Sequence, residues 1–329
     1  MLVSELEQRL ASRREVSIEV SVADIDIDDA AATVTIANQV YPLDEIAEKT
    51  LAKHFEIPYT YLKSCPTTFR ARTLQFWRDE YADHDVVVET IGTNIVSVHS
   101  PEVLNISAYS LAKVISRVFD PTDKVNLYRP ADQLQFDIIS ERHVVDVPNP
   151  DGIKFRPEVG DITHGGLRLL VHPHTNKQPS LVPYLERLVC TNGMCTDEKM
   201  GRIAIKGNTV DEILAEVEEA ANRAMRGLDA ALERYALTAH MPVPGTLQAF
   251  AYQLGKERKL SKGVMDEVMI LINQLPDNAT VYDVNQAFTA VANLDVGHAA
   301  RVSLQTLGGS LAFEPDKTIR RCTSCERLI

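Results

Sequence analysis

The sequence predicts an α+β fold: a mixed or antiparallel sheet domain carrying one long helix, followed by a helical C-terminal part. Three observations predict it. Apolar and polar residues alternate strictly in several short runs of the first two thirds, which is the period of a half-buried strand. Seven apolar positions from Ile213 to Tyr235 step by 4, 3, 4, 4, 3 and 4, the spacing of a helical seam. Beyond Gly245 only helical periodicity remains.

Taken in order, Ser4 and Glu7 form a Ser-x-x-Glu capping box and predict a short first helix carrying Leu6 and Leu10. Val16, Ile18, Val20 and Val22 alternate with polar residues and predict a strand. The run Asp24-Ile-Asp-Ile-Asp-Asp29 extends that alternation into a turn, and Thr33 to Ala37 reads as the returning arm of a hairpin. Asp26, Asp28 and Asp29 lack the glycine and terminal glutamate of a calcium loop and read as a solvated strand face. Residues 43–65 read as a helical hairpin restarted at Pro58. Val86 to Val88 and Ile95 to Val98 form a further hairpin across Gly92-Thr-Asn94. A helix near 103–118 and a strand near 134–147 follow. Residues 152–206 read as strands broken at Gly160-Asp161, Gly165-Gly166 and Pro173.

Thr209 and Glu212 form a second capping box, opening one long helix to about His240. Its seam, Ile213, Val217, Ala220, Ala224, Leu228, Ala231 and Tyr235, calls for a partner helix within the chain or on another subunit. Met241-Pro-Val-Pro-Gly245 ends the helix by proline and glycine chemistry and divides the chain into 1–240 and 241–329. Helices follow at 246–254, 264–275 and 281–294, the last opened by Thr280 and Asp283.

Composition narrows the function classes. At 45% hydrophobic and 24% charged the chain is globular rather than disordered. No apolar run approaches the roughly 20 residues of a membrane span, and Met1-Leu-Val-Ser-Glu-Leu-Glu7 has no basic-then-apolar leader. Five scattered cysteines suit a reducing compartment, so the cytoplasm of a host cell is the expected location. The net charge of −12 is uneven: residues 1–62 hold 12 acids and 5 bases, residues 63–206 hold 18 and 17. A basic groove, which phosphate binding requires, therefore has room only in the middle segment.

The stretch Arg187-Leu-Val-Cys-Thr-Asn-Gly-Met194 resembles the hallmark of a phage- and plasmid-borne family named only as a domain of unknown function. Gly160-Asp-Ile162, Gly166-Leu-Arg-Leu-Leu170 and Ser180-Leu-Val-Pro183 precede it in the order that family shows. Ile57 to Leu62 with Arg70 to Trp77 resembles its N-terminal helix pair, and Tyr282 to Thr289 through Leu307-Gly-Gly309 its C-terminal helices. Where many relatives carry Asn-Ser, this chain has His172-Pro-His174. The resemblance implies a bacteriophage or other mobile-element setting and no assigned reaction. Some members neighbour recombination and replication functions, which implies a role similar to the phage single-strand annealing proteins, oligomeric rings that bind single strands in a basic groove.

Each candidate residue has a chemical reading and a structural one. Cys190 ahead of Asn192-Gly193 reads as a nucleophile loop or as a small buried thiol beside a tight turn. His172 and His174, with His164 or Asp161, read as metal ligands or as a solvated pair interrupted by Pro173. Cys322-Thr-Ser-Cys325 has the spacing of half a structural zinc site, with His298, Cys190, Cys195 or a second subunit as the source of further ligands. Arg70, Arg72, Trp77, Arg78, Arg168, Lys177, Arg187, Arg202 and Lys206 are the bases and aromatic expected in a single-strand groove, or else an ordinary solvated surface. No Walker loop, dinucleotide fingerprint, His-Glu-x-x-His or Gly-x-Ser-x-Gly is present, so an enzyme is not the leading expectation. That expectation is an oligomeric phage or plasmid protein binding single-stranded DNA in recombination or replication. The alternatives are an oligomeric protein-interaction or host-inhibiting factor and a metal-dependent enzyme using the histidines.

Overall fold

The computed structural model describes residues 1–28, 30–128, 133–147, 161–173, 175–187, 192–195 and 202–325, with backbone alone at 187, 192–195, 298 and 321–325. The fold is α+β, with three antiparallel sheets and twelve α-helices among the described residues. Helix α1 (Val3–Ala11) opens the chain. It begins before Ser4: the Glu5 carboxylate accepts the Leu2 N–H at 3.0 Å, so the expected Ser4–Glu7 box is not the cap.

Strand β1 (Val16–Ser21) ends in a 3-10 turn at Val22–Asp24, which separates it from β2 (Asp26–Asp28). The alternation from Val16 onward is therefore two strands in two sheets. β2 pairs with β3 (Thr33–Ile36), which turns through Ala37 and Asn38 into β4 (Gln39–Pro42). Both turn residues have positive φ, 48° and 63°, the geometry that matches strand twist in a two-residue hairpin. Helices α2 (Glu45–His54), α3 (Tyr59–Ser64) and α4 (Thr67–Glu80) follow. Asp44 caps α2 by accepting the Ile46 and Ala47 N–H groups. β5 (Asp85–Ile91) then pairs with both β1 and β6 (Asn94–His99). These elements share one core, in which Leu51, Phe55, Leu62 and Leu74 pack on Val34, Val86, Val88 and Ile95.

The central sheet is built from β7 (Lys124–Tyr128), β8 (Leu134–Val147), β9 (Asp161–Val171), β10 (Ser180–Arg187) and β11 (Asn192–Cys195), in the order β11-β10-β9-β8-β7. A short β12 (Ile203–Ala204) pairs with the start of β10. One sheet face packs Phe136, Ile138, Leu167 and Leu181 against α1, α5 (Ala108–Val118) and α6 (Val210–Met225). The Gly165-Gly166 pair does not break β9, contrary to the expectation. It lies opposite an irregularity in β8 between Ile139 and Val144. A Cβ at Gly166 would stand 1.9 Å from the Ile138 carbonyl oxygen, so this glycine permits a close backbone approach.

The expected long helix is two helices. It breaks at Gly227, the poorest helix former short of proline, and α7 (Leu228–Leu237) continues into a 3-10 turn at Thr238–His240. The apolar seam is covered inside the chain, by two different cores. Ile213, Val217 and Ala220 face the first sheet core, while Ala231 and Tyr235 join Val147, Leu185, Tyr282 and Phe313 in another, and Leu228, between them in sequence, is buried. The C-terminal part comprises α8 (Leu247–Glu257), α9 (Lys262–Ile272), α10 (Val281–Val291), α11 (His298–Phe313) and α12 (Pro315–Cys325). Asp283 accepts the Thr280 N–H at 2.8 Å, as its capping box predicts. Phe250, Val268, Phe288 and Leu304 form this part's own core.

Gly166→Ala tests the close approach. Urea unfolding should show a loss of about 1–3 kcal/mol from overpacking, with Gly263→Ala, where a Cβ meets nothing within 4 Å, as a milder comparison. Unchanged stability in Gly166→Ala contradicts the packing at β8.

Candidate functional site

Helix α4 starts after Pro66 and turns Ala71 and Leu74 into the core. Its flanks are tied down by polar bonds. Arg70 donates to the buried Glu48 carboxylate at 2.6 Å and to Thr67 Oγ1 at 3.1 Å. Gln75 donates to the Ile27 carbonyl. Arg78 donates to the Ile25 carbonyl at 3.1 Å and to Asp79 at 2.9 Å, and lies 3.8 Å from Asp26. Arg70 and Arg78 are thus engaged within the molecule.

The outer face is aromatic. Phe69 is 51% exposed, Phe76 58% and Trp77 36%. Phe69 and Phe76 are seven residues apart and share one helix face, with exposed Arg72 between them. Trp77 meets Phe76 edge to face, ring centroids 5.7 Å apart, and Tyr81 at 6.2 Å. On the neighbouring α3, Tyr61 is 55% exposed. Trp77 is therefore a surface residue. Phe69, Phe76 and Tyr61 were missed by an expectation that looked for cations. The signal was present in the spacing: Ala71 and Leu74 define the inner stripe, which leaves the Phe69–Phe76 line outside.

The remaining groove candidates do not join this face as one built site. Arg168, on the sheet face opposite α5 and α6, donates Nε and Nη2 to the two oxygens of buried Asp137 at 2.6 and 2.7 Å and lies 4.9 Å over the Tyr184 ring. Such a bidentate, stacked guanidinium holds β8 to β9. Lys177, Arg202 and Lys206 are exposed near the start of β10, where Ser180 pairs with Ala204 and the Ile205 N–H donates to the Pro179 carbonyl. Arg187 ends β10 at its other extremity, and its side chain lies outside the described residues.

The thiol and histidine candidates fare differently. Cys190 and His174 lie outside the described residues, as do the side chains of Cys195, His298, Cys322 and Cys325. Cys322 and Cys325 stand one turn apart on α12. Asp161 and His164 are three apart on β9, so they point to opposite faces and do not converge. Among the described residues no cluster of three metal-ligating side chains assembles. His164 is buried, 3.3 Å from the Ser140 carbonyl and 3.9 Å from Glu141. Near it, the Lys124 ammonium at 2.7 Å holds the Glu141 carboxyl below its ordinary range. Burial, reinforced by the Asp137 charge, pushes the Glu186 carboxyl above its ordinary range.

No protein-family model, curated protein or solved structure gives a significant match to this chain.

The raised Glu186 fixes the sign of a pH test. Below the ordinary glutamate range both folded and unfolded chains hold the proton, and the site costs nothing. As pH rises the unfolded chain releases its proton first, so the fold loses stability. Glu186→Gln should therefore raise the melting temperature at about pH 7, with the gain vanishing near about pH 4. A gain independent of pH contradicts this electrostatic account.

Proposed function

We propose that this chain is a binding protein whose outer α4 face docks a basic, apolar segment of another protein. The observation that carries the reading is the line of Phe69, Phe76 and Trp77 left in solvent on a helix whose other face is well packed. Large apolar side chains gathered in one exposed place mark interaction surfaces, and aromatics dominate the energetic centres of such surfaces.

Charge supports the partner's class. Residues 16–99, which supply this core and its surface, contain 14 acidic and 6 basic residues. Phosphate is repelled by such a surface, and so is a second copy of the same face. A protein segment with lysines or arginines around an apolar stripe is complementary to it. The resemblance to phage- and plasmid-borne proteins supports a partner from a bacterial host or from the element itself. A second reading, single-stranded nucleic acid, is favoured by a separate feature, the exposed Lys177, Arg202 and Lys206 near the start of β10. There the phosphates would be contacted without help from α4.

Trp77 is the only tryptophan, so its emission reports on the proposed surface directly. A synthetic amphipathic lysine–leucine peptide should shift that emission to the blue in a saturable way. The double substitution Phe69→Ser and Phe76→Ser should weaken the interaction about ten-fold or more while leaving the melting temperature unchanged. An oligothymidylate that moves Trp77 emission where the peptide does not, or peptide binding indifferent to the two phenylalanines, contradicts the reading.

A further inference from the structure

Among the described residues, strand β1 has a sheet neighbour on one side only. β5 pairs with it from Val16 opposite Thr90 to Ser21 opposite Asp85, and the sheet, in the order β1-β5-β6, ends at β1. The Val22 N–H continues that register, donating to the His84 carbonyl at 2.9 Å. Backbone groups in an antiparallel pair alternate in direction, so Val16, Ile18 and Val20 turn theirs toward β5. Ser17, Glu19 and Ser21 turn theirs outward, and among the described residues those N–H and C=O groups have no partner. An open row of donors and acceptors is a template for a further strand.

The side chains at this edge are apolar on one face. Val16, Ile18 and Val20 alternate along β1 and share that face. Ile18 and Val20 pack at the margin of the core that holds Val86 and Val88, while Val16 is 56% exposed. Helix α2 lies against β6, two strands away, and the face is left partly open at β1. The other face carries Ser17, Glu19 and Ser21. There the Ser17 hydroxyl donates to the buried Glu89 carboxylate at 2.8 Å, which holds the strand on β5.

Register decides what fits there. A two-fold pairing of β1 with its own copy, centred on Ile18, sets Val16 opposite Val20, Ile18 opposite Ile18 and Ser17 opposite Glu19. Ser17 and Glu19 are outward-facing residues, so the two copies exchange the backbone bonds that each leaves unmade. Apolar meets apolar, and no acid stands opposite an acid. Centring on Glu19 would oppose two carboxylates, and centring on Ser17 would oppose Glu19 to Glu15, both unfavourable. Centring on Val16 or Val20 runs the ladder off the ends of the strand. The Ile18 register also brings Arg13 and Arg14 of one copy beside Asp24 of the other. We propose that two copies of this chain join at β1, making one six-stranded antiparallel sheet in the order β6-β5-β1-β1-β5-β6. The contact uses no residue of the α4 face, and neither reading requires the other.

The acidic excess of residues 16–99 is present in both copies and opposes the contact, so salt should tighten it by screening. Light scattering on the full chain should give twice the mass of one chain, with the dimer favoured as salt rises. Glu19→Pro removes an outward N–H and leaves the β5 ladder intact, while Val16→Asp sets a carboxylate against Val20. Each should raise the dimer dissociation constant about ten-fold or more, since two-fold symmetry counts every loss twice. A circular dichroism spectrum and a cooperative urea transition like those of the parent identify the variants as folded. Phe69→Ser combined with Phe76→Ser should leave the dimer unchanged. A monomer at every salt concentration, a dimer indifferent to both β1 substitutions, or one dissolved by the two α4 substitutions overturns the proposal.

Discussion

The Tyr282 hydroxyl donates to the Asp161 carboxylate at 2.6 Å, across 121 residues of chain, and the docking of the helical C-terminal part on the sheet depends on it. Both side chains are fully buried. A carboxyl group in an apolar core is costly unless hydrogen bonds compensate it, so this bond favours one register of α10 against β9. A second bond extends the joint: Gln286 donates to the Tyr235 hydroxyl at 2.7 Å, and the Tyr235 and Tyr282 rings lie 5.1 Å apart. Helices α7 and α10 and strand β9 are thereby fixed together around Leu185, Leu232 and Phe313.

This joint explains why the helical seam needs a break. A straight continuation of α6 would keep Leu228, Ala231 and Tyr235 in line with Ile213 and Val217. Gly227 instead hands the seam from one core to the next, where Tyr235 reaches Gln286. The same anchoring positions the end of α7 beside the α11–α12 junction. The α4 face depends on a different core, that of residues 22–98. The α4 face is a helix surface, and helices hold side chains more precisely than loops do.

The legible parts of the fold are those governed by local rules. The Gly92-Thr-Asn94 turn between two apolar runs marks β5 and β6, the capping box at Thr280 marks the start of α10, and the proline–glycine run after His240 marks the end of the α7 segment. What local rules miss is set by distant residues. Gly165 and Gly166 look like a strand break until the Ile138 carbonyl arrives from β8. Arg70 and Arg168 look like groove cations, but each finds a buried carboxylate, Glu48 or Asp137, 22 and 31 residues away. Charge counting along the chain cannot detect that pairing, and it directed attention to arginines where the exposed aromatics were the distinctive feature. The break at Gly227 was visible as a residue, but the regular seam around it outweighed a single glycine.

A double-mutant cycle on Asp161→Asn and Tyr282→Phe, followed by urea unfolding, tests the joint most directly. Residues that act as one buried hydrogen-bonded unit should show a coupling of about 0.5–3 kcal/mol, with the double variant less destabilised than the two single losses together. Additive losses, within about 0.5 kcal/mol, would contradict the dependence of the fold on this bond.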